Sequence, residues 1–303
     1  MRLTSDQTSQ RASSATRPDP PGVAVRQALC ALSAVPSTMR IPLAARAHGS
    51  ALFPAMRVDD AFAAPMLAAI GDDGVLWLRD RHSVYGILAR TRRFRQSAIR
   101  FLEAHPDALV ANLGCGLSHY FQWLDNGRMR MIDADLPEVL DIRRALLPSA
   151  SERHVLRELD LASQDWWVAL GLPDRRQGDA TPVFLLSEGV LMYLEPPMVQ
   201  AMLAVFGECA PAGSVLAFDA MCWLAAGRAK RHTSVKHTQA EFHWGPRRLS
   251  ELTAASPRLE LAAVHSVMES YGLPFSWLGP AFRAIFGVPF YALYELRAQD
   301  GGE

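Results

Sequence analysis

Val110-Ala-Asn-Leu-Gly114-Cys-Gly116-Leu-Ser-His-Tyr120, followed by Met131-Ile-Asp133-Ala-Asp135-Leu-Pro137, carries the plan of the whole chain. An apolar run enters a Gly-x-Gly turn. A second short apolar run ends in an acid, Asp135, 19 positions after Gly116. A strand–turn–helix–strand unit that holds a nucleoside reads this way. The glycines let the backbone approach the ligand, and the carboxylate takes the ribose hydroxyls.

The same alternation runs outward from this stretch. Candidate strands are 108–113, 128–132, 154–158, 182–186, 214–218, 259–266 and 289–297, with helices such as 137–147 and 197–209 between most of them. Strands alternating with helices predict a mainly parallel sheet covered on both faces. The last two strands are longer and suit an antiparallel edge pair. Upstream, 23–50 reads as helix interrupted at Pro36 and Pro42, 59–70 as a short helix opened by acids, and 85–104 as a helix with an arginine-rich face: Arg90, Arg92, Arg93, Arg95 and Arg100. The first 22 residues are rich in Ser, Thr, Pro and Arg and read as a disordered tail, not a secretory signal. Residues 23–303 then form one domain: a helical part (23–107), a nucleoside-binding core (108–219), a substrate cap (220–250) and the final strands (251–297). The cap is inferred because 220–250 breaks the rhythm after the fifth strand and concentrates both lysines, His232, His237, His243 and Trp244. Open α/β sheets bind ligands above the carboxyl ends of their strands. An ordinary solvated helix pair is the other reading.

Bulk composition narrows the partners. The 303 residues are 50% hydrophobic, enough for a large core, and the formal net charge is +0 from 31 basic and 31 acidic residues. No long electropositive field speaks for nucleic acid. No apolar run has the length of a membrane span. Cys30, Cys115, Cys209 and Cys222 make no CxxC pair and no zinc spacing, and read as reduced thiols of a cytoplasmic protein. No metal-ligand cluster is visible.

Elimination then identifies the nucleoside. The third glycine of a dinucleotide fingerprint is replaced by His119, and neither lysine follows a tyrosine at reductase spacing. No P-loop, G-x-S-x-G or H-E-x-x-H occurs. What remains is Gly114-x-Gly116, Asp135 after the second strand, and Asp160 after the third. This ordered set fits S-adenosylmethionine (SAM).

Several blocks in order resemble the leucine carboxyl methyltransferase family, in its bacterial branch resembling the tetracenomycin polyketide O-methyltransferase. They are Ile41-Pro-Leu-Ala-Ala-Arg-Ala47, Ala89-Arg90-Thr91-Arg92, Val110 to Leu117, Asp133-Ala-Asp135-Leu-Pro-Glu-Val139 with Arg143-Arg144, Glu188-Gly-Val-Leu-Met-Tyr193-Leu194, and Phe242-His-Trp244-Gly245. The resemblance spans roughly residues 36–297. It implies a class I SAM-dependent methyltransferase, an α/β Rossmann-like seven-stranded sheet with an antiparallel edge strand, N-terminal helices and a cap insertion.

It also implies roles. Arg90 would pair with the SAM carboxylate, Gly114 and Gly116 would turn beneath the methionine, Asp135 would accept from the ribose, and Asp160 and Leu161 would frame the adenine. Glu188 and Tyr193 would sit beside methyl transfer, Glu188 also touching SAM. His243 and Trp244 would line the acceptor pocket. Simpler readings stay open: Arg90 as a solvated helix face, Asp135 as a cap for the helix at Pro137, Tyr193 as core, Trp166 and Trp167 as packing on the sheet. The chain has Leu117-Ser118-His119-Tyr120 where the family commonly has Leu-Asp-Thr-Arg, and Arg95 where it often has Asp. His119 is an acid/base candidate or a plain helix-start residue.

A carboxylate acceptor is ionised at pH 7 and needs no base, whereas a phenol, with pKa about 10, calls for one. The expected function is therefore O-methylation of a small carboxylic acid to its methyl ester, in secondary metabolism. Methylation of a phenolic or enolic hydroxyl, and a silent SAM-binding or regulatory role, are the alternatives. The oligomeric state is not legible.

Overall fold

The structure, a computed structural model, describes residues 36–148, 151–178, 180–238 and 240–300. The tail expected over 1–22, the start of the helical part and Cys30 lie outside the described residues.

Seven strands form one sheet in the order β3-β2-β1-β4-β5-β7-β6. They are β1 (Leu109–Leu113), β2 (Arg130–Asp135), β3 (His154–Glu158), β4 (Phe184–Ser187), β5 (Val215–Met221), β6 (Leu259–Ser266) and β7 (Tyr291–Ala298). The first five are parallel, with Val110 opposite Met131 on one side and Phe184 on the other. Strand β7 runs antiparallel between β5 and β6. Every residue of β1, β4 and β5 is buried, as expected for strands covered on both faces.

The helices are α1 (Arg40–Leu52), α2 (Ala63–Ile70), α3 (Val75–Leu78), α4 (Arg81–Ala104), α5 (Phe121–Leu124), α6 (Pro137–Leu146), α7 (Trp166–Ala169), α8 (Pro196–Cys209) and α9 (Phe275–Phe286). None is long and apolar enough to cross a membrane. Asp80 caps α4 by accepting the Ser83 N–H, and Asp60 accepts from Phe62 and Ala63 at the start of α2. The acids expected to open a helix at 59 thus stand before it, and α2 begins at Ala63. Pro137 opens α6, where a missing N–H costs nothing. Helix α9 has no counterpart in the sequence reading. Pro280 lies inside it, and none of its residues is buried.

One apolar cluster joins β1, β4 and β5 to α8, with Trp166 and Trp167 packed into it as expected. A second joins α1, α2 and the start of α4 to residues 229–242. Among the described residues, Cys115, Cys209 and Cys222 are buried free thiols that form no disulfide.

The chain order reverses between β1 and β4. Loops leaving these two strands diverge to opposite sides of the sheet, so their carboxyl ends leave a crevice where a doubly wound sheet binds its ligand. Those loops carry Gly114–Gly116 and Glu188–Gly189.

Candidate functional site: a buried cradle at the switch point

A cavity of about 660 Å³ opens at this point, within the size range of small-molecule sites. Its floor is Gly114 to Ser118 from β1, Asp135 and Leu136 from β2, Leu159 to Leu161 after β3, and Glu188 to Val190 after β4. Its far wall is apolar and comes from α1, the start of α4, Met192, Tyr193, Met221, Val235, Phe242 and the segment around α9.

The glycines are required by backbone conformation. Gly114 has φ +70° and Gly116 φ +49°, a left-handed region that disfavours side chains. A Cβ on Gly114 would also meet Val190 Cγ2 at 2.5 Å. The turn presents bare backbone to the cavity, and Asp135 holds it there. Asp135 Oδ2 accepts the Gly116 N–H at 2.7 Å and Oδ1 accepts the Leu136 N–H at 2.8 Å. Burial raises the Asp135 pKa against these bonds. The alternative role of Asp135, as a cap on α6, is not seen: Leu136 is the N-cap residue, without a side-chain cap bond.

Arg90 reaches the cavity from α4. Its Nε donates to Glu188 Oε1 at 2.9 Å, and its Nη1 donates to Asp219 Oδ2 at 3.2 Å and the Tyr291 hydroxyl at 2.9 Å. Nη2 takes part in none of these bonds. Burial works against the Arg90 charge, but Tyr291, Asp219 and Glu188 outweigh it and hold the group well above its ordinary pKa. The solvated-face reading of Arg90 is therefore excluded. Glu188 also accepts from Thr91 at 2.8 Å and from the Tyr120 hydroxyl at 2.6 Å. Burial would raise its pKa, yet Arg90 and Arg46 keep it below the usual value. Tyr120 thus helps orient the carboxylate that Arg90 holds. Asp219 differs: burial dominates and raises it, despite Arg90 and the Tyr291 hydroxyl at 2.6 Å.

Behind the glycine turn lies a second buried network. Arg143, 1% exposed, donates through Nη1 to the carbonyls of Gly116 at 2.7 Å and Ser118 at 2.6 Å. Its Nη2 is ion-paired with Asp133. Asp133 also binds His154 Nε2 at 2.7 Å and the Asn112 amide at 2.9 Å. Burial opposes the Asp133 charge, but Arg143 and His154 outweigh it and lower its pKa. The ligand atoms of His119, Asp133 and His154 lie within 4.8 Å of one another, a grouping of metal-ligand types whose spacing in sequence carries no ligand motif. Asp133 is already shared by three donors, and the Arg143 cation supplies the positive charge.

Residues 38–207, more than half of the chain, match the leucine carboxyl methyltransferase family. The chain belongs to that family. The tetracenomycin polyketide synthesis O-methyltransferase TcmP of Streptomyces glaucescens is 29% identical over 205 residues, covering 65% of this chain and 72% of TcmP. A Frankia alni protein described as an S-adenosyl-L-methionine-dependent methyltransferase is 31% identical over 201 residues, covering 61% of this chain and 68% of its own. A solved methyltransferase structure from Thermobifida fusca superposes with TM-score 0.52 at 15% identity, over 78% of this chain and 92% of that one, and shares the fold. The protein is a SAM-dependent methyltransferase, and the left-handed glycine cradle beside Asp135 suits such a ligand.

The methyltransferase brings most of its expected site residues together. Arg90, Gly114, Gly116, Asp135, Asp160, Leu161, Glu188 and Tyr193 all line the cavity. Asp160 is exposed and accepts the Ala162 N–H at 2.8 Å. The Tyr193 hydroxyl bonds Thr38, and burial pushes its pKa to about 12.

Three expected residues stand elsewhere. His243 is on the surface, with Nδ1 3.0 Å from Glu195 Oε1. Trp244 is buried in the core against Phe218. Both N–H groups donate to the Met192 carbonyl, which anchors this backbone with the His243 side chain at the surface and the Trp244 side chain in the core. The 220–250 segment does reach the cavity, but through Met221, His232, Val235 and Phe242. His119 lies behind the glycine turn, its ring edge-on to Phe62 at 4.7 Å and its buried Nδ1 without a partner.

Burial drives the His119 pKa down to about 4, partly countered by Asp133, so native His119 is neutral at pH 7. In the unfolded chain it protonates near 6.5. The unfolded state therefore binds the extra proton between these values. This stability is complete above pH about 6.5 and falls as the pH drops towards 4, by about 3 kcal/mol. Urea unfolding across this window should show a slope that His119→Gln removes. An unchanged slope in a folded variant would exclude His119 as its source.

Proposed function

We propose that the protein transfers the methyl group of SAM to the carboxylate of a small, largely apolar acid, giving a methyl ester in secondary metabolism. The observation that carries this reading is the commitment of the buried carboxylates. Glu188 is engaged by Arg90, Thr91 and Tyr120, and Asp135 by two backbone N–H groups. Neither is placed to take a proton from an acceptor. A carboxylate acceptor needs no such base. When bound, SAM supplies a methyl on a positively charged sulfur, which an oxygen nucleophile takes while the sulfur leaves as a neutral thioether, with no proton moving. The chain's own residues align and desolvate the partners. Gly114 and Gly116 let the methionine part approach the backbone, and Asp135 accepts the ribose hydroxyls. Asp160 and Leu161 flank the adenine, and Arg90 offers Nη2 to the carboxylate of SAM. Glu188 and Asp219 keep the guanidinium in place. The apolar far wall excludes water. The name of TcmP supports O-methylation.

Methylation of a phenolic hydroxyl is the second reading, favoured by one observation: His82 lines the cavity and is exposed, so its imidazole could serve as a base. The test is incubation with methyl-labelled SAM and extract of the source cells, followed by mass spectrometry and mild base. Release of the label as methanol is the expected outcome. A base-stable methyl ether would replace the ester reading with the phenolic one.

Arg90→Lys is expected to weaken SAM about tenfold or more, although the charge is retained. A point-like ammonium cannot hold Glu188, Asp219 and a ligand carboxylate in the forked geometry. Calorimetry with the folded variant checks this, and wild-type affinity would remove Arg90 from the binding site.

A further inference from the structure

The acceptor side of the cavity carries few polar atoms, and almost all are already bonded. The Ser83 hydroxyl donates to Asp80 at 2.5 Å, the Tyr291 hydroxyl donates to Asp219, and the Tyr193 hydroxyl is joined to Thr38. Arg46 is ion-paired with Asp60 at 2.8 Å and donates to the Leu117 carbonyl. Apolar side chains such as Ile87, Met192, Phe242 and Phe290 fill the spaces between. His232 differs. It lines the cavity from the turn that follows Ala229–Arg231. Its Nδ1 accepts two backbone N–H groups, from Ser234 at 3.4 Å and Val235 at 3.3 Å. Among the described residues, its Nε2 has no hydrogen-bond partner.

An imidazole nitrogen that accepts must present its lone pair. In the neutral ring the proton then resides on the other nitrogen. Nδ1 accepts here, so Nε2 is an N–H donor. Burial pushes the His232 pKa down and Arg90 adds to this, against the opposing pull of Asp80, so the ring is neutral at pH 7. A second proton would have to sit on Nδ1, facing two N–H groups and breaking both bonds. His232 can therefore donate to an oxygen but is poorly built to take a proton. The ring is also held still. Phe242 meets it edge-on at 5.9 Å, and the Ser234 hydroxyl ties the turn to Asp80 at 2.8 Å, at the N-cap of α4.

We propose that His232, through its Nε2–H, is the hydrogen-bond donor that holds the acceptor's reacting oxygen. The proposal rests on the reading of this cavity as an acceptor site for methyl transfer. It makes His232 a specificity-determining residue: a fixed donor that is itself poorly built to take a proton favours an acceptor that arrives already ionised.

Fluorescence titration in the presence of S-adenosylhomocysteine tests this, using naphthalene-2-carboxylate and 2-methylnaphthalene as probes of the same shape. His232→Leu should weaken naphthalene-2-carboxylate about tenfold, the scale of one hydrogen bond to a charged group. His232→Gln should stay within about threefold of wild type, because its amide N–H can stand where Nε2–H stood. Binding of 2-methylnaphthalene and S-adenosylhomocysteine should be equal in all three proteins. Equal carboxylate binding by His232→Leu, parallel loss of both probes, or no carboxylate binding by wild type would overturn the proposal. A fourth titration, with 2-naphthol, separates the two readings. If 2-naphthol binds more tightly than the carboxylate and with the same dependence on His232, the donor role stands and the carboxylate assignment of the acceptor falls.

Discussion

Replacing Asp133 by alanine is expected to destabilise the protein by about 3–5 kcal/mol, the usual cost of leaving a buried charge without its partner. Arg143 would remain almost fully enclosed, with the carbonyls of Gly116 and Ser118 as its remaining acceptors. His154 and Asn112 would lose a partner at the same time. Chemical unfolding at pH 7 measures the loss, and a change below about 1 kcal/mol would show that the pair does not hold this region. The double variant Asp133→Leu, Arg143→Met should recover part of the stability, since apolar groups can replace a buried pair at little cost. It should not recover SAM affinity, because nothing would then grip the two carbonyls that shape the glycine turn.

Asp135→Ala has the largest expected effect on ligand binding. Each carboxylate oxygen accepts one backbone N–H and keeps lone-pair capacity for a ribose hydroxyl. Hydrogen bonds to a charged group contribute about 1.5–3 kcal/mol each, so losing two ribose contacts should weaken SAM at least about a hundredfold. Freeing the Gly116 N–H also loosens the turn. Asp135→Asn keeps one acceptor oxygen and should fall between. Calorimetry with SAM decides the matter, and an unchanged dissociation constant in a folded Asp135→Ala variant would refute the ribose role.

Much of this arrangement was legible because apolar periodicity and glycine spacing are local signals. The predicted spans for β3 and β6 coincide with the observed strands, and β1 differs by one residue. The span predicted for β2 stopped at residue 132, whereas the strand continues to Asp135. Asp133 stands as a buried acid inside this strand because its partner, Arg143, comes from the next helix. Asn112 and Asp219 are similar: polar residues inside buried strands, each of which must find a partner. That rule could have marked them, but not named their partners. The bond between Tyr291 and Asp219 joins positions 72 apart, and no single-chain pattern encodes such a meeting. His243 and Trp244 were misjudged for a different reason. Enrichment in His and Trp identified a segment that reaches the cavity, but composition does not say which side chains turn inward, and His232 is the histidine of that segment that does.

The insertion of β7 between β5 and β6 sets the order in which the binding site matures. Arg90 and Asp219 both precede β7 in the chain, yet both bond the hydroxyl of Tyr291, at the start of that strand. While synthesis has not reached that strand, β5 has no β7 beside it, and the guanidinium lacks one of its three partners. A fragment ending before Tyr291 lacks the hydroxyl that completes the Arg90 anchor. Competence for the ligand is thus gained only when β7 joins the sheet, and a chain cut before Tyr291 would be expected to lose it.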